Sequence, residues 1–486
     1  MPLSQLAPNL PTGLFIDGGW VNATSAGAME HVNPTTGRVQ ASFPIAGRAE
    51  VDDAVAAAKD ALRAFRRWSP VQRRELLNRI ASLFRAHAAE FETIATLECG
   101  MVQPVASRMG DSAAVWFDYY AGWPDKLVGE VLPDRSSFDY VRYEPYGVVA
   151  IILTWNGPIG SIGMKVAAAL AAGCTIVLKA PELAPFGANL FGRLCTEAGV
   201  PHGVVNVITG GPDAGDALVR HPGVDKISFT GGPATARRIQ AAAAETLKPL
   251  VLELGGKSAT IVFEDADLGR AATNGALAIT RLAGQQCHGA TRLVVQDTVY
   301  DRVVAQVGEV MDGVKVGDPR DPTIEMGPVI SAGAIERIMA TIRDAQASSL
   351  GRLVAGGTRL GGPLADGFFV RPTAFADVDN TSSLAQEEIF GPVLSIIRFH
   401  DEDEAVAIAN DSRYGLAANI YTSDIRRAIR VSDALDVGNV GINGGATNAG
   451  PYGPFGGFGQ SGYGKEGGLH GVQEFLRAKN VNISLD

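Results

Sequence analysis

Apolar residues recur at helical spacing from residue 50 to about 117, among alanine, leucine, arginine and glutamate, and this stretch predicts consecutive helices. It follows a turn-rich start containing FIDGGW and NPTTGR. Near Tyr143 the period changes. Short β-rich runs, VVAIIL, TIVLKA, GVVNVIT and KISFT, succeed one another, and the spacing between them predicts helices over 163–172, 185–198, 214–220 and 234–244. These runs are apolar on both faces, the mark of parallel strands covered on both sides. A second series starts near Thr260 with TIVF and continues through RLVVQ, PVLSIIRF, LAANIYT and VGNVGIN. The expected fold is therefore α/β, with two successive α/β domains built on parallel-rich sheets. The chain closes with a glycine-rich loop, PYGPFGGFGQSGYGKEGG, and a tail, KNVNISLD, that alternates like an edge strand open to another subunit. No repeat of solenoid period and no low-complexity linker interrupts this plan.

The chain has 486 residues, too many for one core, and 46% hydrophobic with 19% charged residues is the composition of a packed globular protein. Its 42 basic and 52 acidic side chains give a formal charge of -10, which argues against nucleic acid as a partner. Arg63, Arg66, Arg67, Arg73 and Arg74 read as one solvated helix face. No two of Cys99, Cys174, Cys195 and Cys287 sit at metal-ligand spacing, so neither a metal site nor a disulfide framework is expected. The opening MPLSQLAPNLPTGLF lacks the pattern of a secretory signal, and the longest uncharged stretch, 148–164, is interrupted by Trp155, Asn156, Gly157 and Pro158. A soluble cytoplasmic protein without a membrane span is the expectation.

Open parallel sheets bind ligands beyond the carboxyl ends of their strands, which directs attention to three loops. In ISFTGG a strand runs into Gly231 and Gly232 and then a helix, an arrangement that fits a tight turn as well as a pyrophosphate held by free backbone N–H groups. In VLKAPE the strand ends at Lys179, and Glu182 could accept from ribose hydroxyls while repelling a 2′-phosphate; a surface ion pair reads equally well. ILTWNGP ends at Asn156, whose amide could donate to an oxyanion or simply form a turn. GQQCHGATR sets Cys287 among small and polar residues where a substrate could reach a thiolate, and adjacent His288 is poorly placed in sequence to serve as its base. LELGGK puts Glu253 before a glycine pair, where a partly desolvated carboxylate could act as a general base. EEIFGP, with Glu387, Glu388 and Phe390, is another acidic pair that reads as surface or site.

Together TWNGP, KAPE, FTGG, LELGGK, GQQC, EEIFGP and PFGGFGQSGYGKEGG stand in the order and approximate spacing of the aldehyde dehydrogenase superfamily, which the chain resembles from FIDGGW to its last helix. The resemblance implies that Cys287 is the nucleophile, Asn156 the oxyanion donor with the backbone N–H of Cys287, Glu253 the general base, and Lys165 the lysine that helps the proton leave. It implies further that Lys179 and Glu182 contact the adenosine ribose, that Gly231 and Gly232 meet the pyrophosphate, and that Glu388 and Phe390 meet the nicotinamide ribose and ring. Trp155 and Pro158 look like walls of the cofactor cleft. NAD is the implied cofactor in preference to NADP. The implied reaction oxidises an aliphatic or aromatic aldehyde without a second negative charge to the acid. Rivals are a CoA-acylating dehydrogenase, which commonly lacks the glutamate found here, and a non-catalytic relative. A substrate tunnel would involve Phe117, Tyr120, Trp155, His288 and the loop 447–455 with Phe455. Two departures stand out: FTGG has Gly232 where many members have serine, and His288, Gly289 and Ala290 follow the nucleophile where a small residue, alanine and glycine are commoner. The resemblance divides the chain into a dinucleotide-binding domain (1–122 and 143–254), a catalytic domain (255–454) and a small β oligomerisation element (123–142 and 455–486), and implies a homodimer or homotetramer.

Overall fold

The computed structural model describes residues 10–133, 137–447 and 450–484. The alanine-rich stretch forms the helices Arg48–Phe65, Pro70–Ala86, Ala88–Cys99, Gln103–Ala106 and Met109–Ala121. The second of these begins where its sequence directs: Ser69 accepts from the Gln72 N–H, the Gln72 side chain accepts from the Ser69 N–H, and Pro70 occupies the first turn. The basic cluster does not form one helix face. Arg63 lies near the end of one helix and Arg66 and Arg67 just beyond it, whereas Arg73 and Arg74 belong to the next, and Arg73 turns inward to donate to the Ala171 carbonyl at 3.1 Å.

Five parallel strands make the centre of the first sheet, in the order Val205–Thr209, Thr175–Ala180, Val148–Ile152, Lys226–Gly231, Leu250–Leu254. Chain order reverses between Val148–Ile152 and Lys226–Gly231, the switch point of a doubly wound Rossmann-like sheet. Successive side chains divide between two cores. Val149, Ile151, Ile176 and Leu178 pack with the helices Pro70–Ala86, Pro158–Ala172 and Phe186–Glu197, while Val148, Ala150, Ile152 and Val177 pack with Arg48–Phe65, Pro212–Arg220 and Pro233–Ala244. Burial on both faces is why these strands carry unbroken apolar runs.

The second sheet runs Arg352–Ala355, Thr373–Ala376, Val393–Phe399, Ala290–Gln296, Ser258–Val262, Ala417–Tyr421, Asn439–Ile442, all parallel except its first pair. A third, three-stranded sheet joins Glu130–Val131, Ser137–Pro145 and Leu476–Ser484. The tail is thus an edge strand, with residues 485–486 of its motif outside the described residues. The glycine-rich segment before it is more ordered than a loop: Phe458–Gly459 pairs with Tyr414–Gly415, and Gly462–Tyr463 adds an antiparallel edge to Leu250–Leu254. Gly462, at φ 105°, allows this because a Cβ there would run into the Leu252 carbonyl.

Phe117 and Tyr120 are fully buried, not tunnel walls. Phe117 stacks on Phe84 at 5.4 Å, and Tyr120 donates to the Gly468 carbonyl at 3.3 Å. The helix Met109–Ala121 turns this face toward Pro158–Ala172, and the approach is close: a Cβ at Gly163 would lie 2.8 Å from Ala113 Cα. Gly163→Val is expected to lower stability by about 1–3 kcal/mol through overpacking. Gly160→Ala, whose Cβ would have only Ser112 Oγ at 3.9 Å as a neighbour, should instead be neutral or gain up to about 1 kcal/mol. Urea unfolding of both variants checks this, and equal effects would refute the tight contact.

Candidate active site

Two sheets contribute opposite ends. From the first come the residues at the carboxyl ends of its strands: Trp155 and Asn156 after Val148–Ile152, Lys179 and Glu182 at the end of Thr175–Ala180, Gly231 and Gly232 after Phe229, and Glu253 near the end of Leu250–Leu254. From the second come residues just before its strands: Gly255, Gly256 and Lys257 ahead of Ser258, Cys287 ahead of Ala290, and Glu388 and Phe390 ahead of Val393.

Cys287 is half-buried as a residue. Burial pushes the thiol well above its usual pKa, and the neighbouring Glu253 carboxyl, against which the thiol lies, pushes it further. Burial and then the charge of Glu466 raise Glu253 itself to about 8, and its Oε1 is a buried acceptor with no hydrogen-bond partner. Such an orphan is satisfied by a water or a substrate atom. Lys165 is fully buried and donates to Ser228 Oγ at 3.1 Å and to the Glu466 carboxylate. The loop brings Glu466 there by exchanging backbone hydrogen bonds with Phe455.

Asn156 donates through Nδ2 to the Gln285 carbonyl at 2.8 Å, two residues before Cys287. Gln285 is held in turn, donating to the Leu282 carbonyl at 2.8 Å and accepting from the Ile330 N–H at 2.9 Å. On the other side, the Cys99 thiol donates to the Trp155 carbonyl at 3.2 Å, pinning the loop that carries Asn156. His288 sets Nδ1 3.7 Å from Cys287 Sγ and meets Phe455 edge to face at 6.0 Å. Burial lowers its pKa to about 4, so the imidazole is neutral at ordinary pH and a weak base. The rest of the stretch 447–455 includes residues 448 and 449, outside the described residues.

A dinucleotide fits the remaining residues. The helix Pro233–Ala244 starts at Gly232 with no side-chain cap, and a Cβ at Gly232 would meet nothing within 4 Å, so the amino end is open to a pyrophosphate. Lys179 and Glu182 pair at 3.2 Å at the neighbouring strand end. Glu388 accepts from the Gly256 N–H at 3.1 Å, and burial raises its pKa to about 7. A Cβ at Gly255 would overlap the Glu388 carboxylate, so only glycine leaves it room. Trp155 and Phe390 meet edge to face at 5.4 Å, with Phe390 held at φ 53°. Pro158, in the first turn of Pro158–Ala172, is buried. Beside Glu388 opens a cleft of about 650 Å³, counting its open mouth, with Arg337, Thr341 and Asp344 on its wall.

Gln285 and Cys99 were not foreseen from sequence, nor was Glu466, although its motif was recognised. Their roles arise from pairings over long separations that no local pattern announces. Among the described residues no cluster could hold a metal ion, and no helix is long and apolar enough to cross a membrane.

A thiol against a buried carboxyl, an amide donor nearby and an open helix amino end at Gly232 make up the candidate site of an enzyme. The profile of the aldehyde dehydrogenase family matches residues 20–481, and the chain belongs to that family. It is 39% identical over 482 residues to an aldehyde dehydrogenase-like protein of Schizosaccharomyces pombe, covering 98% of this chain and 96% of that one. Among solved structures it is similar to betaine aldehyde dehydrogenase from Staphylococcus aureus in complex with NAD+, with a TM-score of 0.97 and 32% identity, covering 99% and 96% of the two chains. It is also similar to an NADP-dependent enzyme of E. coli, with a TM-score of 0.94 and 36% identity over 98% of each chain. The protein is an oxidoreductase of aldehydes that uses NAD or NADP.

Glu466 offers a test of the site's electrostatics. Its charge raises the Glu253 pKa, and Lys165 lowers it. Glu466→Gln removes the first influence and frees the second, so both changes act downward. A carboxyl must be ionised to accept a proton, so activity should rise with pH and level off above about 8 in the unmodified protein. In Glu466→Gln the midpoint of that limb should move to lower pH; an unmoved limb would separate Glu466 from Glu253.

Proposed function

We propose that the chain oxidises an aldehyde to the carboxylic acid with NAD as acceptor, through a thioester on Cys287 that water hydrolyses. The observation that carries this reading is the Cys287 thiol lying against a buried Glu253 carboxyl that keeps one oxygen unpartnered. Glu253 is the base at hand for the thiol, because the His288 imidazole is far weaker. The thiolate adds to the carbonyl carbon. Asn156 Nδ2 and the Cys287 backbone N–H stabilise the oxyanion that forms, and one such donor is worth roughly 3 kcal/mol. The dinucleotide supplies the hydride acceptor. The proton that Glu253 took from the thiol leaves along the adjoining polar path of Lys165 and Glu466, and Glu253, ionised again, takes a proton from the water that attacks the thioester.

Glu182 supports NAD over NADP, since a carboxylate beside Lys179 disfavours a 2′-phosphate. Gly231 and Gly232 would hold the pyrophosphate through backbone N–H groups, while Glu388 and Phe390, with Trp155 opposite, would hold the nicotinamide ribose and ring. His288 and Phe455 give the approach to Cys287 an aromatic wall, which suits an aliphatic or aromatic aldehyde without a second charge. The presence of Glu253 favours water over CoA as the acyl acceptor.

The proposed domains are the dinucleotide-binding unit of 1–122 and 143–254, the catalytic unit of 255–454, and the oligomerisation element of 123–142 and 455–486. Exposed Val131, Phe138 and Ile483 on the third sheet, together with its open edge, support assembly into a homodimer or homotetramer. Four free thiols suit a reducing compartment such as the cytoplasm.

Cys287→Ser should abolish NADH formation. Glu253→Gln should allow at most a burst without steady turnover, and sustained turnover by that variant would refute its role. A panel of aliphatic, aromatic, semialdehyde and betaine aldehydes with NAD and NADP in parallel ranks substrate and cofactor. Acyl-CoA appearing when CoA is supplied would favour the acylating alternative. In Glu182→Gln the preference for NAD over NADP should shrink, and an unchanged ratio of kcat/KM values would remove Glu182 from cofactor selection.

A further inference from the structure

Where the link before Ser258–Val262 meets the strand Ala290–Gln296, two cationic side chains are buried together. Lys257 and Arg292 are each 2% exposed, and among the described residues neither forms an ion pair. Arg292 donates to neutral oxygens alone: the Lys257 carbonyl at 2.9 Å, Asn380 Oδ1 at 3.0 Å, the Ile408 carbonyl at 2.8 Å and the Ala409 carbonyl at 2.8 Å. The Lys257 ammonium has no hydrogen-bond partner, and neither has the adjacent buried Ser258 hydroxyl. Carboxylates act on this pair only from a distance. Glu388 is bonded to the Gly256 N–H, Glu387 is paired with Arg413, and Asp411 accepts from Asn380.

An unpaired buried cation is costly and resolves itself either by losing its proton or by acquiring a counter-ion. Burial and the neighbouring Arg292 lower the Lys257 pKa to about 7, and burial lowers that of Arg292 to about 10, the response of two charges lacking a partner. Both side chains line one cavity, with Ser258, Tyr414 and Leu416 among its other walls and room for about one water-sized guest. Four donors of Arg292 are used of the five a guanidinium carries, and the lysine's three are free. The apolar part of the wall, Leu416, Ala417, Ala418 and Val437, suits a weakly hydrated ion.

We propose that this cavity is a binding site for a small monatomic anion of chloride's class, held between Lys257, Arg292 and the Ser258 hydroxyl. Such an ion completes the charge balance and keeps Lys257 protonated. Its place is close to the chemistry: the preceding residue, Gly256, binds Glu388, and a Cβ on Gly256 would lie 3.0 Å from the Cys287 carbonyl. The site stands independently of which aldehyde is oxidised.

Crystals of the unmodified protein grown in bromide test the proposal by anomalous scattering. A bromide peak beside Lys257 Nζ is expected. Peaks confined to the outer surface, with an ordered water or nothing in the cavity, would overturn it. In solution, replacing gluconate by chloride at constant ionic strength should raise the melting temperature, progressively with chloride as binding to the folded state requires. Lys257→Met should lose that dependence, and an equal chloride response in the variant would count against the site. The diffraction test decides the matter if the variant does not fold.

Discussion

Only Gly255, Gly256 and Lys257 separate the last parallel strand of the first sheet, Leu250–Leu254, from the first strand of the second, Ser258–Val262. This short link forces the carboxyl ends of one sheet against the amino ends of the other. Side chains at this link must be small because the space belongs to neighbours: a Cβ at Gly255 would overlap the Glu388 carboxylate, and one at Gly256 would press on the Cys287 carbonyl and Leu416. Glu253, Glu388 and Cys287 therefore converge through backbone proximity before any side chain chooses a rotamer. The rest of the site is arranged around that junction.

The ionisable groups around the junction answer in one direction. Glu253, Glu388, Cys287, His288 and Lys257 all move toward their neutral forms, with burial the largest cause in each. A neutral resting site suits a reaction in which charge appears only as the thiol is consumed. Lys165 and Glu466 meet in the same interior, the lysine donating to the Glu466 carboxylate and to Ser228 Oγ.

Much of this was legible from sequence because it is local. The parallel strands announced themselves as unbroken apolar runs, and the motifs after them fell at strand ends where an open sheet presents its ligands. The rule concerning carboxyl ends directed attention to Asn156, Glu182 and Gly231 but is silent about Cys287 and Glu388, which precede their strands; those two were singled out by their local motifs, and their roles came from family resemblance. Phe117 and Tyr120 failed as tunnel residues because aromatic side chains on a helix look alike whether they face a cavity or a core. Which face is buried is set by the packing partner, here the close approach at Gly163. Glu466 was hidden for a related reason: its partner Lys165 lies 301 residues away in sequence.

The residues around Cys287 are anchored to different degrees. Glu253 sits within a strand bonded on both sides, and Asn156 is fixed through the Gln285 carbonyl with its loop tied to Cys99, so the reacting groups have little freedom. His288 lies on a connecting segment and meets Phe455 edge to face, while Phe455 is itself tied by backbone hydrogen bonds to Glu466. Changes in such segments can reshape the approach to Cys287 without moving the strand ends that hold the carboxylates.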